Sequence, residues 1–266
     1  MDHGTLSGVT DSLVHEQSAH RVRFDWGPAG AEHVTADVAV VVDVLSFTTT
    51  LSIAIERGIE VFPHAGHDLA AKELAMRHGA TLAVRRFEAL GHTDGRHVSL
   101  SPASLAHADG IRRLVLPSPN GSAISARYAA AGTVLVGGCL RNASAVARHV
   151  THLLGETGSV VVIAAGEQWP DQSLRPAAED LWGAGAILTA LAGLVGPEAL
   201  SPEAAIPITA FDAVRPRLSE AMRSCASGLE LVSRGFPDDV ELAAAHDVST
   251  VVPHLAGASY VAAPAR

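Results

Sequence analysis

Lysine is all but missing from this chain of 266 residues: Lys72 is the single one. Lysine and arginine together number 19 against 28 aspartates and glutamates, so the formal charge is −9. A negative chain without basic runs argues against nucleic-acid partners, which need clustered cations against phosphates. Its overall field also repels anions, so an anionic small molecule must be held by local groups such as helix N-termini, a few arginines or a metal ion. Cysteine is as scarce. Cys139 and Cys225 stand far apart and without metal-site spacing, which excludes a disulfide scaffold or zinc ribbon and fits a reducing compartment. Aromatics are 4% of the chain, leaving Val, Ala, Leu and Ile to fill the core. No apolar run reaches the roughly 18 residues of a membrane span, and the first 30 residues lack the apolar core of a signal peptide. A cytoplasmic protein without membrane contact is expected. The 14 histidines form no HExxH pattern, no GxSxG elbow occurs, and neither cysteine lies in a motif. Acyl transfer through Ser or Cys is therefore disfavoured.

What is present is a hydrophobic pattern alternating between strand and helix. Apolar residues make up 48% of the chain, enough for a sizeable core. Residues 37–45 (DVAVVVDVL) form a continuous β-branched run, as in a strand buried on both faces. The threonines at 48–50 open a helix closed by Gly58. Strands are expected at 59–62, 81–84, 113–116, 133–136 and 159–164. Helices are expected at 67–78, 123–131, 143–154 (capped by Asn142) and from Pro176, with another start at Ser101-Pro102 inside the polar connection 85–110. The alternation implies an α/β fold, a mostly parallel sheet with helices on both faces. The chain reads as a single α/β domain over 1–266, with 1–20 flexible. Residues 197–266 read as a helical C-terminal part packed on the sheet or as a small cap. In that part, helices are expected at 212–225 and 237–245 and a strand near 250–252.

Ligands of open parallel sheets gather beyond the carboxyl ends of the strands, and three strand exits carry unusual polar residues. In VVVDVLSFTTT, Asp43 follows an apolar run where an unpaired carboxylate is costly. It is either a buried cap or a metal ligand and proton acceptor, while Thr48 and Thr49 either cap a helix or help hold an anion. In LPSPNGSAIS, the amides around Asn120, Gly121 and Ser122 suit a phosphate or sulfonate, although Asn-Gly turns are common. It is neither a Walker loop nor a dinucleotide fingerprint. In VVVIAAGEQWPDQSLRPAAEDLWGAG, Glu167 stands at a strand exit and Glu179 and Asp180 in the first turn of a helix. There they either complement the helix dipole or bind a hard cation such as Mg2+. Arg175 offers a planar fork for phosphate or sulfonate.

Taken in order, VVDVLSFTTT (41–50), PSPNGSAIS (117–125), CLRNASAVA (139–147), the 163–187 stretch and SGLELVSRGFPDDVELAAAHDVSTVVPHL (227–255) resemble the 2-phosphosulfolactate phosphatase family. The resemblance spans about residues 37–255. It implies a family-specific α/β fold, a homodimer, Mg2+ dependence and hydrolysis of 2-phospho-3-sulfolactate to 3-sulfolactate and phosphate, a step toward coenzyme M. Asp43, Asn120, Gly121, Glu167 and Asp180 fall on its motif positions. Asp43, Glu167 and Asp180 are expected as catalytic and metal-binding groups, with Thr48, Thr49, Asn120, Gly121, Ser122 and Arg175 around the anion. The chain departs from the family pattern at Ser46, where an arginine is usual, and at Val84-Arg85-Arg86 and Leu100-Ser101-Pro102, where Gly-Glu-Arg and Asn-Ser-Pro are usual. Arg85 or Arg86 is the expected replacement for part of the missing charge. Two other readings stay open: hydrolysis or lyase chemistry on another small phosphorylated or sulfonated acid, and anion binding without turnover.

Overall fold

The computed structural model describes residues 14–86 and 98–264. The expectations for residues 1–13 and for the 87–97 part of the polar connection lie outside the described residues. Four parallel strands form the heart of the main sheet: β1 (Val22–Trp26), β7 (Val160–Ala164), β2 (Val38–Val42) and β6 (Val134–Gly138), in that spatial order. A second parallel block holds β3 (Glu60–His64), β5 (Arg113–Pro117) and β4 (Thr81–Leu82). Between the blocks lies a terminal hairpin, β10 (Pro253–Ala256) and β11 (Ser259–Ala262). It runs antiparallel to both neighbours and meets each through one residue pair, His254 with Val136 and Tyr260 with Val61.

The β2 sequence explains why it is central. All five residues of VAVVV are buried, and with a side-chain period of two they feed opposite faces. Val38, Val40 and Val42 join one core with Val160, Val162 and Ala164, whereas Ala39 and Val41 join a second with Val161 and Ile163. Over the first face pack α6 (Ala143–Leu154), α7 (Ala178–Val195) and α8 (Pro202–Val214). Over the second pack α1 (Gly27–His33), α2 (Phe47–Glu56), α4 (Pro102–Ala106) and α5 (Gly121–Ala131). The helix α3 (Leu69–His78) covers Phe62 and Val115; Asp68 caps it by accepting from the Ala71 amide, and Gly79 ends it at φ 57°. The α/β class and mostly parallel sheet agree with the sequence reading.

Several boundaries differ. The polar N-terminal stretch contains β1 and α1, whose signal is the alternation of Val22, Phe24 and Trp26. Asn142 precedes α6 but does not cap it. Its Oδ1 accepts from the Cys139 amide at 2.9 Å and its Nδ2 donates to the Val251 carbonyl at 3.0 Å, tying the C-terminal tail to β6. The helix expected at 212–225 is two. The first, α8, starts at Pro202 behind a Ser201 cap; Pro216 then interrupts the path before α9 (Leu218–Ser224). The tail adds α10 (Ala226–Ser233) and α11 (Pro237–Ala244), and its strand is the hairpin at 253–262 rather than 250–252. Remaining strands are a short pair, β8 (Glu167–Gln168) and β9 (Leu174–Arg175).

The helix α7 is long and apolar enough to cross a membrane by length and composition, yet half of it is buried inside the protein. Gly183 to Leu188 are buried without interruption, and the small residues admit close neighbours. A Cβ at Gly185 would collide with the Pro207 carbonyl oxygen of α8. Gly185→Ala is therefore expected to destabilise the fold by about 1–3 kcal/mol or more, read as a lowered Tm in thermal unfolding. An unchanged Tm would show that the α7–α8 contact yields freely.

Candidate active site

The exits of β2, β5 and β7 converge through three side chains. Asp43 leaves β2 and is buried. Its Oδ2 accepts from the Gly121 amide at 2.9 Å and from the Ser118 hydroxyl at 3.3 Å, and its Oδ1 accepts from the Phe47 amide at 3.3 Å. One carboxylate thus occupies the N-terminal ends of both α2 and α5, where free amides and the helix dipole favour an anion. Asp180, in the first turn of α7, joins β2 to β7: Oδ1 accepts from the Val44 amide at 2.7 Å and Oδ2 from the Gly166 amide at 2.9 Å. Glu167 stands at the start of β8, and its Oε2 accepts from the Asn120 side-chain amide at 3.1 Å. Arg175, opposite Glu167 across the same short two-stranded pair, donates to the Ser227 hydroxyl at 3.2 Å and lies over the Trp169 ring.

Electrostatics mark this cluster out. Burial raises the Asp43 carboxyl above the ordinary carboxylate range despite its amide partners, and the charge of Glu179 adds to the rise. Burial, then Asp43 and Glu179, push Asp180 well above that range. Glu167 is pushed up to about 7, first by burial and then by Asp43, with Asn120 and Arg175 opposing. Glu179 is itself buried, beside Cys225, whose thiol burial and that neighbouring charge push up to about 12. Such a thiol is inert as a nucleophile at neutral pH. Perturbed carboxylates gathered at strand exits are what an active site shows.

The anion-binding expectations meet different surroundings. Thr48 closes back on Asp43, its hydroxyl donating to the Asp43 carbonyl at 2.8 Å and accepting from the Asp43 amide at 3.0 Å, while the Thr49 hydroxyl donates to the Val44 carbonyl at 2.8 Å. Ser122 is buried and donates to the Leu116 carbonyl at 3.4 Å. At Gly121 a Cβ would meet the Phe47 ring and the Asp43 carboxylate. These four build the turns beneath the site, and the anion at the two helix ends is Asp43. Ser118 and Glu179 are neighbours that the sequence reading did not assign to the site, whereas Arg86 was one of the two arginines expected to replace part of the missing charge. Ser118 is adjacent to the quoted Asn-Gly turn, and Glu179 had a second reading as a helix-dipole residue.

Among the described residues no three His, Cys, Asp or Glu side chains form a group able to hold a metal ion. The expected trio Asp43, Glu167 and Asp180 is therefore not assembled as direct ligands: Asp43 and Asp180 each have both oxygens engaged by amides. Glu167 accepts a hydrogen bond from Asn120 at one oxygen, out of about four lone-pair sites on a carboxylate. This donor set fits a Mg2+ ion that keeps most of its water and takes one or two carboxylate oxygens plus substrate oxygens. A cavity of about 370 Å3 beside Arg175 is lined by Trp182, Arg217 and Cys225 but by none of the three carboxylates, so it is not the centre of the cluster.

An acid whose folded pKa lies above its unfolded value holds more protons when folded, and stability then declines as pH rises between the two. For Glu167 the interval runs from its ordinary 4.5 to about 7. Glu167→Gln keeps an acceptor for Asn120 and removes that decline. Relative to wild type, the variant is expected to gain about 1–3 kcal/mol between pH 5 and pH 8, read by thermal unfolding across that range. A constant difference would show Glu167 to be ordinary.

Comparison with known proteins accords with this geometry. The family model described as 2-phosphosulpholactate phosphatase matches residues 28–258. A probable 2-phosphosulfolactate phosphatase of Deinococcus radiodurans is 31% identical over 221 residues, 82% of this chain and 88% of that protein. The 2-phosphosulfolactate phosphatase of Methanothermobacter thermautotrophicus is 30% identical over 216 residues, 81% and 85% of the two chains. A probable 2-phosphosulfolactate phosphatase of Thermus thermophilus is 32% identical over 247 residues, 89% and 95% of the two. With the family model spanning most of its length, the chain belongs to the 2-phosphosulfolactate phosphatase family of phosphoric monoester hydrolases.

Proposed function

We propose that the protein is a Mg2+-dependent phosphatase that hydrolyses 2-phospho-3-sulfolactate, or a closely similar small phosphorylated acid, to the hydroxy acid and phosphate. The observation that carries the reading is Glu167. It is a carboxylate at a strand exit, oriented by Asn120 and raised to about 7 by burial and by Asp43. A general base poised near the working pH is most effective. In the reaction Glu167 accepts a proton from a water molecule as the water oxygen forms its bond to phosphorus. The phosphorus–oxygen ester bond breaks, and the leaving oxygen takes up a proton to become the hydroxyl of the acid.

Asp43 and Asp180 do not act on the reacting atoms in this scheme. They hold the ends of α2 and α5 and the exits of β2 and β7, which keeps Glu167 and Asn120 in register. Arg175 supplies a bidentate cation for an anionic end of the substrate. A Mg2+ ion, held by Glu167 and reached through water by Asp43 or Asp180, would neutralise phosphoryl oxygens when bound. The homodimer and the cytoplasmic location belong to the same proposal, and light scattering of the purified protein tests the former.

Phosphate release from 2-phospho-3-sulfolactate is expected to require Mg2+, vanishing after dialysis against a chelator and returning with the metal. Glu167→Gln is expected to lower kcat/KM by roughly 10²–10⁴-fold. Release from another phosphorylated acid alone would replace the substrate and keep the chemistry. Binding of sulfolactate without release from any acid would favour the binding-only reading.

A further inference from the structure

Arg86 has no role in the scheme above, yet it reaches the same cluster from another direction. Its guanidinium donates to the Ser46 hydroxyl at 2.7 Å. Ser46 immediately precedes α2, three residues after Asp43. The guanidinium also lies 5.2 Å from the centroid of the Phe236 ring, a cation–π arrangement. Burial lowers its pKa, and the charges of Asp239, Asp43, Glu230 and Glu167 oppose that, so it feels both sides of the site.

Its partnership with Asp239 is loose. Asp239, buried on α11, gives Oδ1 to the Ser101 hydroxyl at 2.5 Å and to the Ala103 amide at 3.1 Å, and so serves α4. Its Oδ2 is 3.5 Å from Arg86 Nε, and both atoms are buried without a hydrogen-bond partner among the described residues. A salt bridge kept only for architecture, with both charges desolvated, calls for close bidentate contact to offset that cost. Here the carboxylate is engaged elsewhere and the guanidinium side chain keeps about a fifth of its surface exposed, against 1% for Asp239. The arrangement leaves the cation with a single long ion pair and part of its surface open.

The geometry points to Arg86 as the residue that grips one of the substrate's two anionic groups that are not hydrolysed, the sulfonate or the carboxylate, with Asp239 of α11 as its positioning residue. This rests on the phosphatase reading. A phosphorylated acid entering a protein of charge −9, beside four buried or half-buried carboxylates, needs a cation for each anionic end. Arg175 and Arg86 stand at different elements, the β8–β9 hairpin and the approach to α2, and both act electrostatically on Glu167 or are acted on by it. Together they set a requirement for two anions on one small molecule, and so select against simple phosphate esters.

The test compares three esters: 2-phospho-3-sulfolactate, 2-phosphoglycerate (which keeps the carboxylate and lacks the sulfonate) and phenyl phosphate (which lacks both). Arg86→Gln is expected to raise KM for 2-phospho-3-sulfolactate roughly 10- to 100-fold and to exceed its effect on phenyl phosphate by at least about tenfold. A matching loss on 2-phosphoglycerate assigns the contact to the carboxylate, and its absence there assigns it to the sulfonate. Asp239→Asn is expected to move KM in the same direction with a smaller effect on kcat. Equal losses on all three esters would overturn the proposal and return Arg86 to the phosphoryl group or the architecture. If Arg86→Gln fails to fold, Arg86→Lys keeps the charge, loses the fork and is read by the same KM ratios. Should the wild type hydrolyse none of them, which would sink the phosphatase reading, calorimetric binding of 3-sulfolactate still separates the two claims. Weaker binding to the variant supports Arg86, and equal binding overturns it.

Discussion

The Asp43 carboxylate is the constraint on which the site depends. It follows a fully buried strand of the sheet and accepts hydrogen bonds from the Phe47 and Gly121 amides and the Ser118 hydroxyl. Those donors belong to the starts of two helices that leave different strands. The two parallel blocks of the sheet are joined through a hairpin with single-pair contacts, so regular ladder hydrogen bonding does little to align them. Asp43 does that work at the level of the strand ends. Helix N-termini attract anions, and here the chain supplies its own, which explains why a carboxylate tolerates burial.

The cost of this arrangement is concentrated charge. The charge of Glu179 raises the proton affinity of Asp43, Asp180 and Glu167, and that of Asp43 raises the latter two, in a region that burial has already made unfavourable for anions. Backbone amides oppose it at Asp43 and Asp180 without cancelling it. Glu167 receives a single side-chain amide, which leaves it the most chemically available member. Two of the carboxylates thus hold structure through backbone amides, while Glu167 is held by one side-chain amide.

The departures from the family pattern have a structural counterpart. Where the resemblance calls for an arginine after Asp-Val-Leu, this chain has Ser46, and the Arg86 guanidinium lies against its hydroxyl. Arg86, the last residue of the stretch that stands where Gly-Glu-Arg is usual, thus keeps a positive charge beside the position that has lost one. On its other side it faces Asp239 of α11 at 3.5 Å, which brings the C-terminal helices up to the same arginine.

Much of the fold was legible in the sequence because period-two and period-3.6 patterns are local: the β-branched runs at 38–42 and 160–164, the Ser-Pro start at 101–102 and the glycine stop at 79 all act within a few residues. The Ser-Pro start at 201–202 was equally local and was passed over; the strand at 22–26 was hidden in a polar, His-rich neighbourhood. The carboxylates at strand exits were legible too, since an acid after an apolar run is unusual in itself. Which of them faces solvent chemistry and which clamps amides was not, because that depends on contacts 47 to 136 residues apart, such as Asn120 to Glu167 and Val44 to Asp180. The same holds for the terminal hairpin between two strand blocks and for Arg86 beside Ser46. By itself the sequence determined the elements, the burial of Asp43 and the acidic character of the site. Tertiary structure alone decided which amides and cations each acid would meet, because hydrogen bonds and charges are satisfied in space and not along the chain.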